Sequence, residues 1–416
     1  MKDFFKNNRN KVISSLKEEK TIIFLFAGKA MHKTCDQFFK FEPNRNFYYM
    51  IGIDKPHLIY MAIKNGESIE ETLFIERYDE IKAKWDGRSI NEEEAKNISN
   101  IENIKYLDEF ENVSASAMFR NSPETVYLDL ENRYLDNTKD AFKMSDKIKQ
   151  NYPQVSIKNI YNNIGYFRLF KEDREIENIK KALSITKKGI ENIWKNAKPD
   201  IMEYELVACF DYEIKRNGSK DKAFDTILAS GKNATILHYG DNNDKINDGE
   251  LILIDLGATY GYYSSDISRT FPANGKFTDR QKQLYNIVLE AQRKVIEAIK
   301  PELPFKRLNE IVIEHYEEEL KKIGLIKDKS EVSKYYYHGV SHYLGLDTHD
   351  VSRELGTDKG LKKGMVITVE PGLYIEEEGI GIRIEDDILV TETGAENLSK
   401  DIIKTVEEIE NFFENR

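Results

Sequence analysis

The stretch 251–270, LILIDLGATYGYYSSDISRT, constrains the fold more than any other, because it places two aspartates inside what otherwise reads as a buried hairpin. Aspartate is a poor strand residue and a costly one to bury. Leu251, Leu253 and Asp255 share one face of the first arm, Ile252, Ile254 and Leu256 share the other, and Gly257, Tyr260 and Gly261 mark the reversal. A turn centred on Tyr260 and Gly261 sets Asp255 opposite Asp266. Residues paired on one face of an antiparallel hairpin carry Cβ atoms roughly 5 Å apart, so two carboxylates would be pressed together with no Lys or Arg beside them. A metal ion, or two, is the simplest neutralising occupant. On this hairpin alone, a register slip of one residue that turns both aspartates to solvent stays open.

The stretch 365–392, MVITVEPGLYIEEEGIGIRIEDDILVTE, repeats the arrangement. Two apolar, β-branched arms flank a turn at 376–379, and Glu370 and Glu385 lie symmetrically about it. Four carboxylates in two facing hairpins exceed what a core tolerates unpaired, and they match the needs of two divalent cations about 3.5 to 4 Å apart.

The 416 residues suit two domains, and the fraction of hydrophobic residues, 40 %, is ample for packed cores. A net charge of −11 argues against nucleic acid or an anionic membrane as partner, since either would ask for a basic face. The first apolar run, 21–27, is too short to span a bilayer and no small-residue cleavage site follows it, so a cytoplasmic protein is expected. Cys35 and Cys209 stand far apart, which makes neither a disulfide framework nor a thiolate zinc site.

An N-terminal α/β domain is expected over residues 1–170 and a second domain over 171–416. Strand-like runs occur at 21–27, 47–53, 57–63, 71–76 and 125–130, interleaved with helical stretches at 91–101 and 138–152. None of these carries a catalytic cluster, but Trp85, in the sequence Trp85-Asp86-Gly87-Arg88, stands out. Beyond the boundary, helical spacing runs through 171–196 until Pro199, Asp200 and Glu203 suggest a capping box for the next helix, and two more helices are expected at 279–300 and 308–323. The last carries His315 among charged residues, where it should face solvent.

Of the seven histidines, four fall in two patches: His238 before the first hairpin, and His338, His342 and His349 before the second. His338 and His342 have i, i+4 spacing, yet Gly339 and Gly345 weigh against a long helix. Spacing alone does not choose the ligand. Carboxylates with one imidazole lean toward a harder ion such as Mn²⁺ over structural zinc.

Taken together, these residues resemble the metallopeptidases of the pita-bread fold, a family that includes methionine aminopeptidases, prolidases and Xaa-Pro aminopeptidases. The resemblance covers nearly the whole chain. Its motifs here are Ile254-Asp255-Leu256-Gly257, Asp266-Ile267-Ser268-Arg269-Thr270-Phe271-Pro272, His338-Gly339-Val340-Ser341-His342, Gly345-Leu346-Asp347-Thr348-His349-Asp350, Glu370-Pro371-Gly372 and Arg383-Ile384-Glu385-Asp386. Ser268, Val340 and Tyr343 depart from residues frequent in relatives, at positions that touch packing more than ligation. The resemblance implies an α+β chain, an N-terminal α/β domain of the creatinase and aminopeptidase P type followed by a pita-bread catalytic domain. It implies that Asp255, Asp266 and Glu385 contact or bridge two divalent ions, most simply Mn²⁺, and that Glu370 and His342 complete the set. Glu370 would also shuttle a proton, His238, His338 and His349 would lie outside the ligands or face substrate, and Arg383 would hydrogen-bond within the carboxylate cluster. Stretch 41–52, FEPNRNFYYMIG, looks like the N-terminal domain of Xaa-Pro aminopeptidases and prolidases, and favours the former. Peptides with N-terminal Xaa-Pro are then the substrates, and a homodimer or homotetramer is expected, with two readings open for Trp85: it touches substrate in a neighbouring copy, or it packs within its own domain. The runners-up are a prolidase and a metal-free binding protein, the latter disfavoured by the complete ligand set.

Overall fold

The short apolar runs of the N-terminal third pair into one mixed sheet of six strands, in the spatial order Asn103–Tyr106, Ser68–Ile75, Ile59–Asn65, Lys20–Phe26, Thr125–Leu128 and Ser156–Asn159. The computed structural model describes residues 2–131, 139–351 and 360–416, and the chain divides into two compact units, Met1–Arg168 and Leu169–Arg416. At the centre of the sheet, Lys20–Phe26 runs antiparallel to Ile59–Asn65 and parallel to Thr125–Leu128. It is covered on both faces, which is why its sequence is continuously apolar instead of alternating.

One run expected as a strand, 47–53, is instead the helix Arg45–Ile51. Asn44 accepts from Phe47 N at 2.8 Å to start it, and Gly52, at φ 78°, ends it. A short apolar run buried on several sides does not distinguish the two conformations by period, so the cap decides. Helices Glu92–Ser99 and Asp140–Asn151 form within the stretches expected to be helical, with Thr138 outside the described residues.

In the second unit, helices Asp173–Asn196 and Glu203–Arg216 pack together, as do Asp279–Ala298 and Phe305–Lys322. The expected capping box at Asp200 and Glu203 does not form. Met202 occupies the cap, its N–H donating to Glu205 at 2.9 Å, while the Glu203 carboxylate is drawn inward to other donors. His315 is buried, contrary to the expectation of a solvent-facing residue. It lies in line with Leu308, Val312 and Tyr316 on the face that meets the neighbouring helix, where Nε2 sits 3.0 Å from Ile287 O and Nδ1 3.0 Å from Lys294 Nζ.

The first carboxylate hairpin pairs Leu251–Leu256 with Ile267–Pro272 and continues as Thr259–Tyr260 with Tyr263–Ser264. Its turn is one residue later than expected, because Gly261 and Tyr262 both take left-handed backbone, at φ 56° and 67°. Asp255 therefore pairs with Ser268, not with Asp266. A two-residue shift preserves parity, so both aspartates keep to one face. Asp266 falls in the gap between the two ladders, where the chain closes so tightly that a Cβ on Gly257 would stand 1.8 Å from Ser265 O.

In the second hairpin, Val366–Val369 pairs with Asp386–Val390 and Gly372–Ile375 with Ile380–Arg383. Since Val369 faces Asp386 and Gly372 faces Arg383, Glu370 and Glu385 occupy corresponding places in the gap between its ladders. The two hairpins are tied at that gap. Glu385 N donates to Ser268 O at 3.0 Å, and the fully buried Arg269 donates to both Ser268 O and Glu385 O while pairing with Asp386 at 2.8 Å. A buried guanidinium persists only when fully paired, so this cation pins the backbone on which the carboxylates are mounted. No helix among the described residues is long and apolar enough to cross a membrane.

Candidate metal centre

Asp266, His342 and Glu385 converge, each offering one ligand atom, and these atoms all lie within 4.8 Å of one another. His342 Nε2 is 3.4 Å from Asp266 Oδ2 and 3.6 Å from Glu370 Oε1. Its ring is oriented from the other side, with Nδ1 3.1 Å from Tyr343 O, which leaves Nε2 to face the carboxylates. His338 and His342 do not share a helix; this segment carries no regular structure.

Asp255 joins from the adjoining strand. Its Oδ2 accepts from Arg383 Nη2 at 2.8 Å, so a cation does stand beside this aspartate, supplied by the other hairpin. Its Oδ1 is buried without a hydrogen-bond partner among the described residues. Arg383 also donates Nε to Ser268 Oγ at 2.8 Å and Nη1 to Tyr374 OH at 2.9 Å, and Ser268 Oγ donates onward to Glu385 Oε2 at 2.9 Å.

Electrostatics leave the cluster short of positive charge. Burial, and then the charges of Glu385 and Asp255, push the Asp266 carboxyl well above its usual range; burial, and then Glu370 and Asp255, do the same to Glu385. One guanidinium does not offset four carboxylates. A buried oxygen with no donor, oxygen-rich ligands within a few ångströms and a single correctly turned imidazole together fit hard or borderline divalent cations.

His338 is half-buried, with Nε2 2.9 Å from Tyr374 OH and Nδ1 3.9 Å from Glu370 Oε2. Burial, aided by the Arg383 charge, brings its pKa down to about 4, so it is a neutral ring at ordinary pH. The charge of His238 adds to that depression, yet His238 itself is exposed. His349 is exposed too, its ring centroid 4.2 Å from that of His342. Trp85 lies in the N-terminal unit on helix Glu80–Asp86, 82 % exposed, so packing within its own domain does not account for it.

Sequence reasoning passed over Tyr374 and Asp387. Tyr374 lies on strand Gly372–Ile375, four residues after Glu370, an even spacing that an extended reading of the sequence would have put on the same face as Glu370. Asp387 is fully buried and its Oδ2 accepts from Asp266 N at 3.2 Å; in the run Glu385-Asp386-Asp387 nothing separates its role from that of its neighbours.

The model of metallopeptidase family M24 matches residues 177–392, and that of the aminopeptidase P N-terminal domain matches residues 5–127. The chain is 31 % identical to the Xaa-Pro aminopeptidase of Haemophilus influenzae, over 99 % of this chain and 97 % of that one. A Bacillus anthracis structure assigned to aminopeptidase P superposes with a TM-score of 0.97 at 53 % identity, covering 100 % of this chain and 98 % of that one. Aminopeptidase P from E. coli with the inhibitor Pro-Leu superposes with a TM-score of 0.92 at 30 % identity, over 100 % and 98 % of the two chains.

Proposed function

The chain belongs to metallopeptidase family M24, and we propose that it is a dinuclear Xaa-Pro aminopeptidase, releasing the N-terminal residue from peptides with proline in second position. The observation that carries this reading is the convergence of Asp266, His342 and Glu385, with Asp255 and Glu370 beside them, in a chain that matches such relatives through both of its units. In this reading Asp255, Asp266, His342, Glu370 and Glu385 hold two divalent ions. Mn²⁺ is the ion proposed, because oxygen donors outnumber the single nitrogen.

When bound, such ions supply Lewis acidity toward a peptide carbonyl and acidify water enough for attack near neutral pH. The proton chemistry falls to Glu370. Its carboxylate lies between His342 and His338, 3.6 Å from one and 3.9 Å from the other, and it takes a proton from the attacking water and passes it to the leaving nitrogen. His338, neutral and engaged with Tyr374, offers a ring nitrogen without bringing a charge into the cluster. His238 and His349, both exposed, face the substrate and steady its carbonyl oxygen and its proline side. Arg383 keeps Asp255 in place by a charged hydrogen bond.

The proposal includes a cytoplasmic homodimer or homotetramer in which the exposed Trp85 of one copy lies against proline in a neighbour's site. A rigid apolar face suits that task at low entropy cost. Elemental analysis of Mn²⁺-loaded protein tests the core of the reading: two ions per chain are expected, and Asp255→Asn should lose metal and activity together. Full turnover by protein shown to be metal-free would overturn it.

A further inference from the structure

The Glu203 carboxylate belongs to none of the groups at the metal centre, yet it is fully buried with no cation paired to it among the described residues. Five donors satisfy it instead. Oε1 accepts from Ser230 N at 2.7 Å, Ser230 Oγ at 2.8 Å and Asn233 Nδ2 at 3.3 Å, and Oε2 accepts from Tyr239 OH at 2.9 Å and Asp244 N at 3.0 Å. An unpaired buried carboxylate persists only when its hydration is replaced in full, so these bonds form or fail as a set.

The donors come from a single loop and bracket one residue. Ser230 ends the strand Ile227–Ser230, Asn233 lies in the following turn Gly231–Thr235, Tyr239 is the residue after His238, and Asp244 closes the loop. His238 itself lies in an exposed turn with no strand ladder to hold it. The far end is lashed down as well, since Asn242 accepts from Leu228 N at 2.8 Å and donates to Thr226 O at 2.9 Å. Strand Ile227–Ser230 in turn pairs with the strand of Asp255, with Ile227 opposite Asp255. The path from Glu203 therefore ends on the ligand strand at one end and beside His238 at the other.

We propose that Glu203 is a positioning residue for the peptidase reaction, fixing His238 over the site by gathering the loop 230–244 around its carboxylate. This rests on the reading of His238 as a substrate-facing residue. Glutamine is a poor replacement: it has one acceptor oxygen, and its amide hydrogens would oppose the donor Asp244 N. The Tyr239 hydroxyl, pushed up to about 12 by burial and by Glu203, stays a donor across the working pH range, so the bond beside His238 persists.

The test is a double-mutant cycle on metal-loaded protein, using Glu203→Gln, His238→Ala and the pair, with kcat and KM read separately on a proline-second peptide and metal content read alongside. Each single substitution should lower kcat/KM by roughly ten- to a hundredfold at unchanged metal content. The pair should be no worse than His238→Ala alone, because one acts through the other. Should Glu203→Gln fail to fold, Tyr239→Phe removes one donor of the five and must show a smaller loss that also vanishes in the His238→Ala background. Multiplying effects in the pair, or Glu203→Gln with full activity, would overturn the proposal. If His238→Ala alone leaves both constants unchanged, the reading of His238 falls and the proposal with it, an outcome visible before Glu203 is altered.

Discussion

Arg383 reaches from one hairpin to the other, its Nη2 donating to Asp255 Oδ2 at 2.8 Å, while Nε and Nη1 hold Ser268 and Tyr374. Burial works against its charge, but Tyr374, Asp255 and Glu370 keep it protonated. Removing one partner of a buried pair leaves the other charge unmatched, which typically costs about 3 to 5 kcal/mol. Arg383→Gln should therefore lower the stability of chelator-treated protein by that order in urea denaturation, and lower activity roughly ten- to a hundredfold. Arg383→Lys should rescue neither, because an ammonium does not reproduce the fork that meets three acceptors. A lysine variant with full stability and turnover would contradict this account of the cluster.

Glu175 provides a pH-dependent signature away from the ligands. It is buried in the first turn of helix Asp173–Asn196, where its carboxyl accepts from Tyr263 OH at 2.7 Å and Glu172 N at 2.8 Å, and burial pushes it up from 4.5 to about 7. A raised folded-state pKa means that its contribution is fully present below the unfolded value and is lost as pH rises through 7. In Glu175→Gln that dependence disappears. The Tm of the variant relative to the parent should rise between pH 5 and pH 8, by an equivalent of at most about 3 kcal/mol. A difference that stays flat across the range, measured by calorimetry in the same buffers, would mean that Glu175 is ionised throughout.

Trp85, 82 % exposed, makes a different demand. Substitution at an exposed position away from any cap or core changes stability by within about 0.5 kcal/mol. Trp85→Ala should leave the Tm nearly unchanged and weaken turnover of proline-second peptides, with the effect growing as the protein associates. Light scattering paired with kinetics separates the cases: a fully active monomer would remove Trp85 from the site.

The second hairpin was legible because its turn at 376–379 lies symmetrically between Glu370 and Glu385, and the observed register keeps that symmetry. In the first, the turn moved by one residue and the register by two, because a tyrosine, Tyr262, takes a left-handed conformation that its side chain does not announce. Parity survived, so Asp255 and Asp266 still reached one face. His315 was misread for a related reason: Glu314, Glu317 and Glu318 surround it in sequence, whereas its own side chain points along the stripe of Leu308 and Val312. Contacts such as Arg383 to Asp255, or Glu203 to Tyr239, join elements distant in the chain, and no local period encodes them.

The proposed activity is that of a metal-dependent aminopeptidase that requires proline in second position. Its most direct test offers Mn²⁺-loaded and chelator-treated protein a matched set of peptides, Xaa-Pro dipeptides, longer Xaa-Pro peptides and Xaa-Ala controls, with the products read by mass spectrometry. The result expected is release of the N-terminal residue from the longer Xaa-Pro peptides by the metal-loaded protein alone. Equal cleavage of the Xaa-Ala controls, cleavage confined to dipeptides, or undiminished cleavage after chelation would contradict it.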